Sequence, residues 1–372
     1  MFEFKDCILV TGAAGFIGSH FCKQALAHYD DCLIVALDKS RDQIAMNLSC
    51  RFDDQREFSY GDLIQTREEV GEMVDRPHVL GVRGKIGDRA LMTEILMKTR
   101  PRIVFNFAAE SHVDKSIDDA TPFLDSNIVQ LGALLDVFRS YQGHQKMRPK
   151  FVQISTDEVY GDYGCDDGKT EEEMEAGYNE RSRLRPSSPY AASKAAGDLL
   201  VRSYARTFGI TWIITRSANN YGPRQAPEKL IPLMITKAMA GDDLPVYGDG
   251  KQSRDWIHVS DNVAGIIAAA DNGRDEIFNI GSGVRHWNLE IVKALQALFG
   301  DKSKIDFVTD RPGHDSMYRI CSDKLRWDMD WAPQIKWLDG MDSTVAWYRD
   351  NQQWVENMRK LGYSTERVGL GE

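Results

Sequence analysis

An α/β fold built on a doubly wound parallel sheet, with a smaller C-terminal α+β substrate domain, is what this sequence predicts. Three observations carry the prediction. Short apolar runs without polar alternation recur up to about residue 217, as strands buried on both faces do. Amphipathic helical patterns separate them. The first run leads straight into a glycine-rich turn, TGAAGFIG.

Taken in order, CILV (7–10) reads as a buried strand and GFIGSHFCKQALAH as the helix after it. CLIVAL (32–37) is a second strand, closed by Asp38. RIVFNFAA (102–109), KFVQIS (150–155) and TWIITRS (211–217) are further strands. DRALMTEILMK, NIVQLGALLDVFRSY and SPYAASKAAGDLLVRSYARTF are helical patterns between them. Beyond about residue 217, Pro, Gly and charged residues become denser and the strands shorter. The first domain is therefore expected over 1–216 plus 253–277, with RDWIHVSDNVAGIIAAA returning a strand and a helix to it. The second takes 217–252 plus 278–372. Two stretches read as surface insertions, 41–77 and 165–186, the glutamate run of the latter as a solvated face.

The chain has 372 residues and a formal net charge of -10, which argues against nucleic-acid or anionic-membrane partners. A small anionic molecule is compatible if a few Lys or Arg gather locally. Cys7, Cys22, Cys32, Cys50, Cys165 and Cys321 form no CxxC pair. Free thiols in a reducing cytosol fit that pattern better than disulfides or zinc. The N-terminus MFEFKDCILV lacks the form of a secretory signal, and no apolar run is long enough to span a membrane. A cytoplasmic protein is expected. The eight histidines form no metal-binding spacing, and His112, near Glu110 and Asp114, reads as structural or solvated. No metal is expected.

Gly12, Gly15 and Gly18 stand where the first strand turns into the first helix. Glycine there admits a pyrophosphate close to the backbone, and the helix N-terminus offers free N–H groups. This context makes a dinucleotide site of a motif that alone is weak. Asp38, 20 residues after Gly18, suits the ribose hydroxyls of NAD. Lys39 and Arg41 leave room for the phosphate of NADP, and NAD is favoured. YAASK puts Tyr190 and Lys194 one helical turn apart. A free phenol ionises near pH 10, so using its phenolate near neutrality costs about 4 kcal/mol. An adjacent ammonium and a positive nicotinamide could supply that. The spacing alone is expected about once by chance in a chain this long. In VQISTDEVYGD (152–162), Asp157 and Glu158 follow Ser155 and Thr156 at the end of an apolar run. Adjacent acids in a low-dielectric site repel, and at least one pKa rises. They are either a solvated loop or a proton-transfer pair. On a regular strand Thr156 and Glu158 point one way and Asp157 the other, so all three face one ligand only if the strand has already broken.

The TGxxGxxG turn and the YxxxK pair resemble the extended short-chain dehydrogenase/reductase family, a Rossmann-type fold. FNFAAESHVDKSI, ISTDEVYGD, SPYAASKAAGDLLVRSY, NNYGPRQAPEKLIPLMI, LPVYGDGKQSRDWIHVSD and FVTDRPGHDSMYRI resemble, in order and over nearly the whole chain, the motifs of its dTDP-glucose 4,6-dehydratase branch. The TDE triplet discriminates most: related 4-epimerases usually lack the acid pair and decarboxylases have Ser-Glu. Three positions depart from the pattern: Lys85-Ile86 for Asp-Ile beside the adenine, Ser126 for Thr, and Gln130 for Gly. Both insertions are longer than usual.

The resemblance implies an NAD-dependent hydro-lyase of deoxysugar biosynthesis that converts dTDP-glucose to its 4-keto-6-deoxy product by internal hydride transfer. Tyr190, supported by Lys194, would be the base at the 4-hydroxyl, and Thr156 would bond the 4-oxygen. Glu158 would take the carbon-5 proton, and Asp157 would protonate the departing 6-hydroxyl. The implied cofactor contacts are Gly12, Gly15, Phe16, Ile17, Gly18, Asp38 and Lys39 around the first turn. Ile86, Phe107, Ala108, Ala109, Ser111, Ser126 and Asn219 join them, with Tyr190 and Lys194. Arg254 and Arg311 are implied for the substrate diphosphate. Ser111, Thr156, Asn219, Asn220, Lys229, Leu230, Pro245, Tyr247, Asn279 and His314 would surround nucleotide and sugar. The family is dimeric, pairing helices near 124–141 and 188–207. A UDP-glucose or other sugar-nucleotide dehydratase is the near alternative. An epimerase or alcohol dehydrogenase on the same fold, or a dinucleotide sensor without turnover, stands further off.

Overall fold

The computed structural model describes residues 6–48, 79–146, 148–164, 170 and 175–363. Seven parallel strands form the main sheet in the order β10-β6-β5-β4-β1-β2-β3. In chain order these are β1 (Asp6–Thr11), β2 (Cys32–Asp38), β3 (Val79–Arg83), β4 (Ile103–Asn106), β5 (Lys150–Thr156), β6 (Thr211–Ser217) and, later, β10 (Glu276–Ile280). β1 and β2 are buried almost throughout, as their unbroken apolar runs require. The sequence order reverses between β1 and β4, and ligands of open α/β sheets bind at such a reversal, beyond the carboxyl ends of the strands.

Helices close both faces of the sheet. Ile8, Val10, Phe21, Phe105 and Val263 belong to one core layer, and Leu9, Val35, Leu96, Leu134 and Phe138 to the other. The helix Pro189–Phe208 starts where sequence rules place a start. Ser188 caps it by accepting from the N–H of Ala191, and Pro189 occupies its first turn. Asp88 caps Arg89–Thr99 in the same way, accepting from Ala90 and Leu91.

A second group of strands lies beside the main sheet. β7 (Asn219–Tyr221), β9 (Ser253–His258) and β11 (Arg285–Trp287) form one small sheet, and β8 (Leu244–Tyr247) with β12 (Ile305–Val308) another. A third core gathers here around Tyr221, Trp256, Ile291 and Tyr348.

Here the structure corrects the expected boundaries. The strand 253–258 does not return to the main sheet; it pairs with β7 and β11. The helix Val259–Asn272 after it does pack on the first domain, its apolar face joining the core that holds Ile8 and Phe21. The returning strand is β10, so a boundary between 277 and 278 cuts through it. β3, unforeseen in the sequence, lies at the far edge against β2. Of the expected insertion at 41–77, Arg41–Leu48 is a helix; 49–77 lies outside the described residues. The second insertion's glutamate run at 171–174 also lies outside them. Its later part is packed rather than loose: the Tyr178 ring stacks on Tyr160 at 5.3 Å, and Glu180 accepts the N–H of Asn279. Cys7, Cys22, Cys32 and Cys321 are free thiols, and Cys50 and Cys165 lie outside the described residues. Among the described residues no helix is long and apolar enough to cross a membrane.

Candidate active site

Gly12 follows β1 directly with φ +66, and a Cβ there would come 2.6 Å from the backbone nitrogen of Ala108. A Cβ on Gly18 would strike the carbonyl of Gly12. The turn therefore lies flat against the Phe107–Ala108 loop that follows β4, which only glycine allows. The helix Phe16–His28 begins after Gly15 with no side-chain cap and no acid in its first turn. Its N–H groups are left to an anion. Asp38 ends β2, buried, its carboxylate accepting from the N–H groups of Ala14 and Ser40. Lys39 is paired with Glu110 from the loop after β4, so the cation beside Asp38 already has an anion. These residues fit a dinucleotide.

Ile86 is buried and Lys85 exposed. Two departures from the family pattern meet here: Gln130 lies against Gly87, where a Cβ would come 2.8 Å from its Cγ. Ser126 sits in a π-helical turn, Asp125–Gln130. The same turn carries Asn127, which holds both backbone groups of Glu110 and donates to Ser193.

The geometric condition set by the acid pair is met. β5 ends at Thr156, and Asp157–Tyr160 is a single 3-10 turn. Thr156 caps it, accepting from the N–H of Glu158 at 3.3 Å and donating to Asp157 Oδ1 at 3.2 Å. Gly161, φ +82, closes the turn beneath the carbonyl of Arg185, where a side chain would collide. Asp157 Oδ2 and Glu158 Oε2 are buried and make no hydrogen bond among the described residues.

The two acids occupy opposite fields. Burial, then Glu158 and Asp255, hold the Asp157 carboxyl well above the ordinary range. Burial also raises Glu158, but Arg311, Arg254 and Lys229 oppose it. Both carboxyls are thus raised, and the rise at Glu158 is the one that three cations oppose. Tyr190, buried on the neighbouring helix, lies close enough to Thr156 and to both acids for each of them to act on its phenol. Its phenol is raised by burial, then by Glu158 and Asp157. Lys194, one helical turn further on, donates to the Ile154 carbonyl at 2.7 Å. Burial brings Lys194 itself down to about 8.

The cations come from the second group of strands. Arg254 on β9 is buried, donates only to the carbonyls of Ser253 and Asp315, and lies 4.2 Å over the Tyr318 ring. No ion pair to it occurs among the described residues, and burial lowers its pKa. Arg311 pairs with Asp114 at 2.7 Å, and Tyr247, on β8 beside Pro245, donates to the other Asp114 oxygen. Lys229 caps the helix that opens at Leu230 and donates to the Ser111 carbonyl. His314 bonds Asp310 and is held down to about 4 by burial and Arg311. Asn219 Oδ1 and Asn220 Oδ1, on β7, are buried and have no hydrogen-bond partner among the described residues. Asn279 differs: it is fully buried, its oxygen accepts from Tyr160, and its amide donates to the Tyr178 and Cys321 carbonyls. Its side chain is spent on internal bonds, which leaves the expected substrate contact without support.

Sequence reasoning missed Asp114 as the acid that orients Arg311 and Tyr247. It missed Glu228, which pairs with Lys115 at 2.8 Å and faces His112 at 3.7 Å. It also missed Asp198, whose position one helical turn after Lys194 was the available signal.

Comparison with known proteins places this arrangement. The GDP-mannose 4,6 dehydratase family model matches residues 9–344. A dTDP-glucose 4,6-dehydratase of Xanthomonas campestris pv. campestris is 40% identical over 97% of this chain and 98% of its own. One of Neisseria meningitidis serogroup B is 39% identical over 98% of this chain and 99% of its own. The solved dTDP-glucose 4,6-dehydratase of Streptomyces venezuelae, with NAD bound, superposes with a TM-score of 0.78 at 37% identity, covering 95% of this chain and 99% of that one.

Proposed function

Since the chain belongs to the GDP-mannose 4,6-dehydratase family, we propose that it is an NAD-dependent hydro-lyase that converts dTDP-glucose to dTDP-4-keto-6-deoxyglucose. The observation that carries the reading is the acid pair Asp157 and Glu158 on a single 3-10 turn capped by Thr156, each with a buried oxygen without a hydrogen bond among the described residues and both close to Tyr190. An alcohol dehydrogenase or an epimerase has no use for a protonated acid beside an ionised one. A dehydratase needs both.

Bound NAD supplies the hydride acceptor at carbon 4 and returns the hydride to carbon 6. Gly12, Gly15 and Gly18 would carry its pyrophosphate and Asp38 its ribose. The Lys39–Glu110 pair disfavours a further phosphate there, in keeping with NAD. Tyr190 takes the proton of the 4-hydroxyl while Thr156 bonds that oxygen. With a carbonyl at carbon 4 the carbon-5 proton is acidic, and Glu158 removes it. The carbon 6–oxygen bond breaks as Asp157 delivers its proton, and water leaves. The carbon-5 proton is restored from Glu158 as hydride reaches carbon 6. Lys194, one helical turn from Tyr190, would support the phenolate together with the positive nicotinamide. Its ammonium also ties the strand end, through Ile154.

Arg254 and Arg311 would hold the diphosphate. The desolvated Arg254, bonded to two carbonyls and to no carboxylate among the described residues, has the unmet charge such an anion would satisfy. The apolar residues left exposed on Thr121–Leu124, Asp125–Gln130 and Pro189–Phe208 support a homodimer through these helices. The free thiols support a reducing, cytoplasmic setting.

The test offers purified protein dTDP-, UDP-, GDP- and CDP-glucose with NAD and no reductant. A 4-keto-6-deoxy product is expected from dTDP-glucose foremost. Absence of that product from every sugar nucleotide overturns the reading. Asp157→Asn should slow loss of the 6-hydroxyl more than oxidation at carbon 4; equal slowing removes Asp157 from the acid role.

A further inference from the structure

Asp157 takes a hydrogen bond through Oδ1 from Thr156, itself the last residue of β5, while Asp157 Oδ2 and Glu158 Oε2 make none among the described residues, so the aim of the two acids rests on the backbone that carries them and Thr156. That backbone is clamped on both sides. Before the acids, Lys194 Nζ grips the Ile154 carbonyl on β5. After them, Tyr160 ends the 3-10 turn, and its hydroxyl accepts from Arg216 Nη1 at 2.9 Å and donates to Asn279 Oδ1 at 2.8 Å. Arg216 lies on β6, 1% exposed. Its Nε donates to Asp198 Oδ2 at 2.9 Å. Asp198 stands four residues after Lys194 on the helix that carries Tyr190. Both clamps therefore lead back to one buried face of that helix.

We propose that Tyr160, Arg216 and Asp198 are positioning residues: a buried bracket that fixes the acid turn to the Tyr190–Lys194 helix, so that oxidation at carbon 4 and elimination across carbons 5 and 6 meet the sugar in one register. A core ion pair needs no hydroxyl partner from a catalytic turn. Here Tyr160 receives one bond from the cation and gives another to β10, so its ring is fixed along two directions. Asn279 extends the bracket to the Tyr178 and Cys321 carbonyls, which ties the turn to the segments packed below it. This inference rests on the dehydratase reading, whose own test is product formation by the unaltered chain.

Tyr160→Phe is the variant of choice, because it keeps the ring and its packing and removes only the hydroxyl. Tyr141→Phe is the control: Tyr141 is also buried and donates to the Pro101 carbonyl, at the opposite end of β4. Single-turnover mixing with dTDP-glucose separates the two steps: nicotinamide absorbance follows oxidation, and solvent deuterium entering at carbon 5 follows elimination. In Tyr160→Phe, elimination should slow by about ten- to a hundredfold, the usual cost of misplacing a reacting group by an ångström or less. Oxidation should change far less, so reduced cofactor accumulates during turnover. Tyr141→Phe should leave the ratio of the two rates unchanged, at a comparable fall in melting temperature. The bracket is refuted if Tyr160→Phe slows both steps alike, or if it keeps the wild-type ratio. It is refuted equally if Tyr141→Phe shifts the ratio as much. Failure of the unaltered chain to oxidise or dehydrate any sugar nucleotide would instead count against the dehydratase reading.

Discussion

Asp157 and Glu158 are adjacent in sequence and yet answer to different neighbours. Glu158 and Asp255 bear on the first; Arg311, Arg254 and Lys229 bear on the second. A carboxyl raised by burial binds its proton in the folded chain at a pH where the unfolded chain has released it. Folding is then favoured less and less as pH rises through that interval, from the ordinary carboxylate range up to the raised value. Asp157 is such a group, and its contribution to stability is negative at neutral pH. Asp157→Asn should accordingly melt a few degrees higher than the unaltered chain at pH 7. At pH 4, where the native carboxyl is already protonated, the two should melt nearly together. Thermal scans at both values check this, and a variant that melts lower at pH 7 would mean that Asp157 sits ionised in the pocket. The adjacency of the acids was plain in the sequence. The cations that bear on Glu158 were not, because they lie up to 153 residues away along the chain, and only the family resemblance told the two acids apart.

Elements defined by local chemistry were legible from sequence. Gly12 and Gly18 announce the first turn because nothing larger fits against Ala108 and the Gly12 carbonyl. Ser188 and Pro189 mark the start of the Tyr190 helix. The break after β5 was harder to read, since Gly161 lies beyond the acids; the earlier signal is Thr156, a capping residue at the strand's last position. Assignment of β9 and β10 failed for another reason. Both are short buried strands, and only pairing decides that the first joins β7 and the second β6. The bracket of Asp198, Arg216 and Tyr160 was invisible for the same cause, as its members come from three elements. A prediction belongs to the first turn. Gly12→Ala needs φ +66 and a Cβ within 2.6 Å of a backbone nitrogen, at a cost of about 1–3 kcal/mol. The turn can relieve this only by lifting off the β4 loop, which spoils the pyrophosphate cradle. NAD affinity should fall at least tenfold in a direct titration, with a lower melting temperature. Unchanged affinity would show that the cofactor does not rest on this turn.

At the scale of the whole molecule, the helix that carries Tyr190 and Lys194 has two differently occupied sides. One faces the acid turn and the buried Arg216. The other exposes Leu199, 54% accessible, and the adjoining π-helical turn exposes Val129, 64% accessible. The two elements pack together, since a Cβ on Gly197 would lie 3.1 Å from Leu131 and 3.3 Å from the Asn127 carbonyl. Apolar side chains this exposed on neighbouring helices form the surface through which we propose that two copies pair. A symmetric pairing would set the same helices of a second copy against them. Size-exclusion chromatography with light scattering should find twice the chain mass. The double variant Val129→Glu, Leu199→Glu should find the single mass, because two like charges per copy, buried without a partner, cannot be accommodated in an apolar contact. Trp327, 84% accessible on the short helix Asp323–Met329, offers the competing surface, and Trp327→Glu should leave the mass doubled. If Trp327→Glu separates the copies and the double variant does not, the contact lies on the face around Asp323–Met329. The outer face of the Tyr190 helix would then be free, and the chemistry would owe nothing to a second chain.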